Sequence, residues 1–331
     1  MLSMKLFNLL YHLTKEVRKG KSSQVFGGIQ VIMGGDFFQL PPVGRDDDPD
    51  TKCFCFESPF WDEVFPAQNQ IQLKKIFRQK DNEYASILNQ IRVGAIERKS
   101  VDVLSSLVGK DMSHLEFIPT KLFPTRKLVD TFNNDKLSFI EDEAVEFVTK
   151  NLTNIEIKSV EDKRKRRLFT EEDINIELLY MRTNILCDEK LTLKVGSQVM
   201  CVVNLDLENG ICNGSQGIVK EIDQEIGTVK VKFNNGIIMN LGRHVWESEK
   251  IPGVGVSQIP LILAWAISIH KSQGSTLDMA EIDIGSQIFE CGQSYVALSR
   301  VKTLEGLFLS SFDVGKIRVN SKVKRYYSRF E

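Results

Sequence analysis

The chain has 331 residues, 42% of them hydrophobic and 26% charged. That is the composition of a folded protein with a real core and room for about two domains, and it excludes a disordered, collagen-like or disulfide-scaffold chain. Forty-three basic residues against 44 acidic ones leave a formal charge of −1, so a polyanionic partner must be held by local patches and not by bulk charge.

The longest apolar run, Ile259 to Ile269, contains Pro260 and Ser268 and falls short of the ~20 apolar residues of a membrane span. The opening MLSMKLFNLLYHLTKEVRKG lacks a basic leader and a small-residue cleavage site, which argues against a signal peptide. Cys53, Cys55, Cys187, Cys201, Cys212 and Cys291 form no CxxC pair and no metal-ligand rhythm with the four histidines. They read as reduced thiols of an intracellular protein, with no metal site and no membrane partner.

In chain order, residues 3–19 predict an amphipathic helix. Ser3 can cap it, Leu6, Leu9, Leu10, Leu13 and Val17 recur at helical spacing, and Gly20 can end it. Ile29 to Met33 is a short β-rich run ending at Gly34, Gly35 and Asp36, which predicts a buried strand of a parallel sheet opening into a loop. Asp46 to Asp50 reads as an exposed turn. Tyr84, Ile87, Leu88 and Ile91 predict a helix over 82–93 stopped by Gly94, and Val101, Leu104, Leu107 and Val108 predict another over 100–108 before Gly109. Thr125 caps a further helix carrying Leu128, Val129 and Phe132. Residues 140–180, with Lys163 to Arg167 (KRKRR), read as a charged, irregular insertion or mobile loop.

From 196 to 242 the pattern changes. β-rich segments at 199–203, 217–222, 228–233 and 236–241 are separated by glycines, and Asn235-Gly236 is a hairpin signal. Such spacing predicts a small antiparallel barrel. Beyond Pro260 a helix is expected over Ala264 to Gln273 with Gly274 after it, a strand over Ala280 to Ile284, a helix over Gly292 to Arg300 and a strand over Leu307 to Ser310. The implied architecture is an α/β domain interrupted by a β-barrel.

Five segments carry chemistry. GDFFQLPPVG, Gly35 to Gly44, follows the expected strand, where loops of parallel sheets line ligand crevices. Asp36 and Gln39 there suit a phosphate or a metal-bound water, and a neutral amide can orient an attacking water; the same residues also suit a plain polar strand end with a proline turn. Arg78 and Arg300, each at an element boundary, suit charge stabilisation in phosphoryl transfer or a surface ion pair. In HKSQGSTLD, His270 to Asp278, the donors Lys271, Ser272 and Thr276 suit phosphodiester oxygens and Gly274 allows close backbone approach; an ordinary helix end explains the same pattern. Lys163 to Arg167 fits a nucleic-acid or import patch or a solvated run balanced by Glu161, Asp162, Glu171 and Glu172. NGICNGSQG, Asn209 to Gly217, reads as barrel turns. Gly20-Lys21-Ser22 mimics the tail of the phosphate loop GxxxxGK[ST], but position 15 is lysine and the segment ends a helix where a phosphate loop opens one.

Taken in order, FGGIQVIMGGDFFQLPPVG, IFRQKDNEYASILNQIRVG, LFPTRKLVDTFNNDKL, LTLKVGSQVMCVVNLDLENGICNGSQGIV, ILAWAISIHKSQGSTLD and FECGQSYVALSRVKTLEGL resemble the PIF-type (petite integration frequency) DNA helicases, relatives of the RecD-like 5′-to-3′ helicases. The resemblance implies a RecA-like P-loop NTPase architecture. Residues 1–75 would be the remnant of a first RecA-like domain, and 76–190 the start of a second, with the charged insertion at 140–180. Residues 191–258 would be an inserted Src-homology-like barrel and 259–331 the remainder of the second domain. It implies an ATP-dependent motor that moves 5′-to-3′ on single-stranded DNA, opens forked DNA and serves replication, repair, recombination and telomere maintenance, in the nucleus of a eukaryote.

Carried over by position, Gln39, Arg78 and Arg300 would be catalytic. Asp36, Gln39, Arg78, Gly274 and Arg300 would face ATP, while Thr125, Arg126, His270, Lys271, Ser272 and Thr276 would touch DNA. The family's phosphate-loop lysine and acidic magnesium-binding pair lie upstream of the segment matched here. ATP and Mg²⁺ would therefore be held mainly by a part these residues do not include, supplied by a longer gene product or by another chain, and the polypeptide alone would not hydrolyse ATP. Two readings of other classes remain: a non-catalytic single-stranded nucleic-acid binding module, and an interaction fragment.

Overall fold

The computed structural model describes residues 1–79, 81–115 and 118–330. Its helices are α1 Met4–Val17, α2 Trp61–Val64, α3 Asn82–Val93, α4 Arg98–Ser106, α5 Arg126–Ser138, α6 Val160–Arg166, α7 Glu171–Asn184, α8 Gln293–Leu298 and α9 Ser321–Tyr327. Its strands are β1 Thr120–Phe123, β2 Val145–Val148, β3 Lys150–Leu152, β4 Lys190–Leu193, β5 Gln198–Cys201, β6 Gln216–Asp223, β7 Thr228–Phe233, β8 Ile238–Leu241, β9 His244–Glu247, β10 Gly255–Gln258, β11 Leu261–Leu263, β12 Ala266–Ser268, β13 Ala280–Ile284 and β14 Leu307–Phe312. No helix among the described residues is long and apolar enough to cross a membrane. Contacts group the chain into two units, residues 1–110 with 281–331, and residues 111–280.

In the first unit, Ser3 caps α1 by accepting from the Leu6 amide, as its place before a periodic run predicts. Phe7 and Tyr11 face inward and meet Phe26 edge-on at 5.8 and 5.5 Å. Phe26 adopts φ 49, a conformation a bulky residue seldom takes. Gly27 after it continues at φ 59, where a Cβ would stand 2.6 Å from the Thr14 carbonyl oxygen. The FGG segment is thus a turn pressed onto the end of α1, held by the burial of one aromatic ring. The C-terminal α9 joins this aromatic core, Tyr326 meeting Phe37 at 5.2 Å and Tyr327 stacking on Phe38 at 4.5 Å. These contacts explain why the two ends of the chain fall in one unit. Gly94 ends α3 at φ 67, as expected, Asp81 caps its start, and α4 starts and stops two residues early.

One expectation fails here. Ile29–Met33 leaves the FGG turn extended, with Ile29 at φ −84 and ψ 133, but forms no ladder among the described residues, and Ile32 is 87% exposed. A buried strand needs neighbours on both edges, and the described residues supply none. Ile71, Leu73 and Phe77, and on α1 Leu9, Leu13 and Val17, are likewise exposed.

In the second unit, β5 to β8 form at the expected segments and pair antiparallel as a meander, extended by β11 into a five-stranded sheet in the order β11-β5-β6-β7-β8. The turn at Asn235-Gly236 has Gly236 at φ 86. Inward residues Val199, Cys201, Val219, Val229, Val231 and Phe233 make a dry core with Phe147, Leu191 and Leu193 of the β2–β4 ribbon. Two expectations are corrected. Residues 140–180 are ordered into β2, β3, α6 and most of α7. Thr170 caps α7 in a box with Asp173, and Ile174, Leu178 and Met181 pack on Ile251, Val254 and Val256; dense charge on the outer face hid this stripe. Ala264–Gln273 is not a helix. Ala266–Ser268 is β12, paired parallel with β1 in the register Lys121–Ala266, Leu122–Ile267 and Phe123–Ser268, followed by turns. An unbroken apolar run reads equally as buried helix or buried strand, and the vacant edge of β1 decides it.

Candidate functional site

The candidate residues fall into two groups. Asp36, Gln39, Arg78 and Arg300 lie in the first unit, and Thr125, Arg126, His270, Lys271, Ser272, Gly274 and Thr276 in the second.

In the first group, the loop after the extended segment is fixed from within. Arg92 on α3 donates from Nε and Nη2 to the two Asp36 oxygens at 2.9 and 2.8 Å. Its guanidinium lies 4.4 Å from the Phe38 ring centroid and 5.2 Å from that of Tyr327. The Tyr327 hydroxyl approaches the Asp36 carboxylate at 3.3 Å and accepts from the Phe37 amide at 3.2 Å. Asp36 is therefore a strut for the loop, with its oxygens engaged. Gln39, half-buried, leaves this loop one turn later, its amide donating to the Asp36 carbonyl at 3.1 Å.

The same loop is pinned by Gly292, the N-cap of α8 at φ 75. A Cβ on Gly292 would lie 2.5 Å from the Phe38 carbonyl oxygen and 2.8 Å from that of Gln39, so only glycine permits this approach. At the other end of α8, roughly 10 Å along the axis, Arg300 is 2% exposed. Its Nε donates to the Val296 carbonyl at 2.9 Å and Nη2 to the Ser299 hydroxyl at 2.7 Å. Arg78 donates to the Ser299 carbonyl at 3.1 Å, and Gln79 to the Val301 carbonyl at 3.2 Å. Tyr84, fully buried, donates to the Leu298 carbonyl at 2.6 Å. The structure thus brings Arg78 and Arg300 together on one turn of backbone.

Burial, and then the positive charge of Arg78, push Arg300 down to about 10. Burial likewise lowers Arg78, which makes no ion pair among the described residues. Tyr295, between the ends of α8, is raised by burial and by Asp36, against the pull of Arg92, Arg300 and Arg78. One field thus joins the loop strut to the two arginines. Two desolvated guanidinium groups of like charge form a site that an oxyanion would relieve. Arg92, Tyr295 and Tyr327 are outside the sequence reading, and Gly292 enters it only as a helix start; their roles arise from contacts distant in sequence.

A magnesium site fits these residues poorly. The described residues hold no group of three or more His, Cys, Asp or Glu side chains placed for a metal, and the Asp36 oxygens are taken by Arg92.

The second group sits past the C-terminal ends of two adjacent parallel strands, where ligands of α/β sheets bind. Thr125 and Arg126 follow β1; His270 and Lys271 follow β12. Asn133 ties α5 to β12, donating to the Ala266 carbonyl at 2.9 Å and accepting from its amide at 2.8 Å. Thr125, Arg126, His270 and Lys271 are exposed. Ser272 is not: it is fully buried, and its hydroxyl donates to the Ile269 carbonyl at 2.8 Å, so it shapes the turn. Gly274 at φ 91 lies in that same turn, and Thr276 is half-buried, its main chain packed against Gly214. Asp188, absent from the sequence reading, stands between Arg126 and Lys271, 3.7 and 3.8 Å away.

The sequence profile of PIF1-like helicases matches residues 1–102, and that of the DNA helicase Pif1 2B domain matches residues 180–222. The chain is 32% identical to the ATP-dependent DNA helicase PIF1 of Homo sapiens over 99% of its own length and 47% of that protein; it spans about half the length of the curated relatives it matches. Among solved structures, it resembles the Pif1 helicase of Candida albicans with 33% identity and a TM-score of 0.72, covering 100% of this chain and 75% of that one. It resembles Bacteroides Pif1 in complex with ADP-AlF4 with 28% identity and a TM-score of 0.78, covering 100% and 73%. With an α/β fold of RecA-like type and likeness along its whole length, the chain belongs to the PIF1-like helicase family.

Proposed function

We propose that this chain forms the phosphate-sensing and strand-holding part of an ATP-dependent DNA helicase that moves 5′-to-3′ on single-stranded DNA and separates forked duplexes. The observation that carries the reading is the pair of half-buried Arg78 and buried Arg300 on the Ser299 turn, joined through α8 to the loop of Gln39. Charge spread over a transferring phosphoryl group is stabilised by guanidinium donors already in place. Gln39 would orient the attacking water, while Asp36, Arg92 and Tyr327 hold its loop. Thr125, Arg126, His270 and Lys271 would hold the phosphodiester backbone, with Ser272, Gly274 and Thr276 shaping the turn beneath them.

These 331 residues contain no GxxxxGK[ST] segment, and the residues present do not fit a magnesium site, so no step is derived through the metal. Hydrolysis then needs a phosphate loop and acidic pair from outside these residues. The exposed apolar side chains of the first unit, such as Leu13, Ile32 and Leu73, suit docking of such a part. The test is ATP turnover by the 331-residue polypeptide with oligo-dT. We expect strand binding without DNA-stimulated hydrolysis, and hydrolysis once a polypeptide carrying the phosphate loop of a relative is added. Stimulated turnover by the chain alone would overturn the need for that part. Strand binding with no turnover under either condition would favour a non-catalytic binding module.

A further inference from the structure

Two of the cations assigned to the DNA strand share one protein carboxylate. Arg126 Nη2 and Lys271 Nζ lie 3.7 and 3.8 Å from the same atom, Asp188 Oδ1. The three residues come from separate stretches: the start of α5, the turn after β12, and the connection from α7 to β4. Arg126 has a second acidic neighbour, Asp130, at 3.7 Å one turn along α5.

Asp188 does not ride on a loose tip. Gln258, fully buried, donates to the Asp188 and Glu189 carbonyls at 3.2 and 3.3 Å and to the Phe147 carbonyl at 2.8 Å. The neighbouring Cys187 thiol donates to the Ile259 carbonyl at 3.4 Å. The backbone that carries the carboxylate is therefore anchored in the β-rich core. The side chains it meets remain reachable, with 73% of Arg126, 35% of Lys271 and 41% of Asp188 exposed.

A carboxylate and a phosphodiester are both singly charged oxyanions, and both satisfy guanidinium and ammonium donors in the same way. One oxygen placed between two cations from two strand ends marks where a phosphate oxygen would be held. We propose that Asp188 stands in for a DNA phosphate and competes with the strand for Arg126 and Lys271. The proposal rests on the reading that these two residues contact DNA. By meeting the cations before the strand arrives, Asp188 keeps them in position yet weakens the hold, so that a moving strand is released more readily.

The test is binding of fluorescent oligo-dT to the 331-residue chain at several salt concentrations. Asp188→Asn keeps the shape and removes the charge. It should tighten binding about five- to tenfold at low salt, the screened effect of one charge at a partly exposed site. It should also steepen the slope of log K against log salt by about 0.7, as for one more neutralised phosphate on a single strand. Glu189→Gln is the control, because Glu189 pairs with Arg182 and should leave both quantities unchanged. An unchanged affinity and slope for Asp188→Asn, or an equal gain for Glu189→Gln, would overturn the proposal while leaving the strand-binding reading intact. If Arg126→Ala and Lys271→Ala bind like the parent chain, the strand-binding reading itself falls and takes the proposal with it.

Discussion

The two cationic regions of the molecule are built in opposite ways. Arg78 and Arg300 are anchored through carbonyl and hydroxyl oxygens of the Ser299 turn, and Arg300 is almost wholly buried. Arg126 and Lys271 are open to solvent and face an acid. The contacts described for the first pair are to neutral oxygens, and on the proposed reading such anchors hold a guanidinium in place for one compact polyanion. Carboxylate partners fix direction while tempering attraction, and on the proposed reading they suit the holding and release of a long polyanion. Burial raises the value of each charge in the first region, and water screens it in the second.

This contrast can be broken or sharpened by substitution. The largest effect is expected at the loop strut, where Asp36→Ala leaves Arg92 with little solvent and no counter-charge. It should cost about 3 kcal/mol in urea unfolding of the chain, and Arg92→Met in the same background should restore most of it. Next is Gly292→Ala, which needs both a positive φ and space held by the Phe38 and Gln39 carbonyls. A loss of about 2 kcal/mol is expected by the same measurement. In the exposed region the effect should move from stability to binding. Lys271→Ala should change unfolding by less than about 0.5 kcal/mol while weakening oligo-dT binding by about 1 kcal/mol, read by anisotropy. The smallest effect is expected for Thr125→Ala. The Thr125 side chain makes no capping bond to α5, so the substitution should cost less than about 0.5 kcal/mol, against about 1 kcal/mol for a working cap.

What the sequence revealed followed the range of its signals. Helix α3 was legible because its apolar stripe and Gly94 are both local. The meander of β5 to β8 was legible because glycines and Asn235-Gly236 punctuate it. The run at 264–273 was misread because its strand character depends on β1, far away in sequence. Ile29–Met33 was misread because a strand-like run is a strand only where a neighbour completes it. The same limit applies to the sites. Gln39, Arg78 and Arg300 stand in contiguous motifs and can be proposed from the sequence alone. Arg92, Tyr327 and Asp188 act only through partners that folding brings near, and no spacing announces them.

The division of labour between the two regions is tested most directly by hydrogen–deuterium exchange of the 331-residue chain with and without oligo-dT. The account predicts slower exchange at residues 123–127 and 268–272 on adding the strand, with 36–40 and 296–301 unchanged. Protection confined to the arginine turn and the Gln39 loop, with none past β1 and β12, would contradict it.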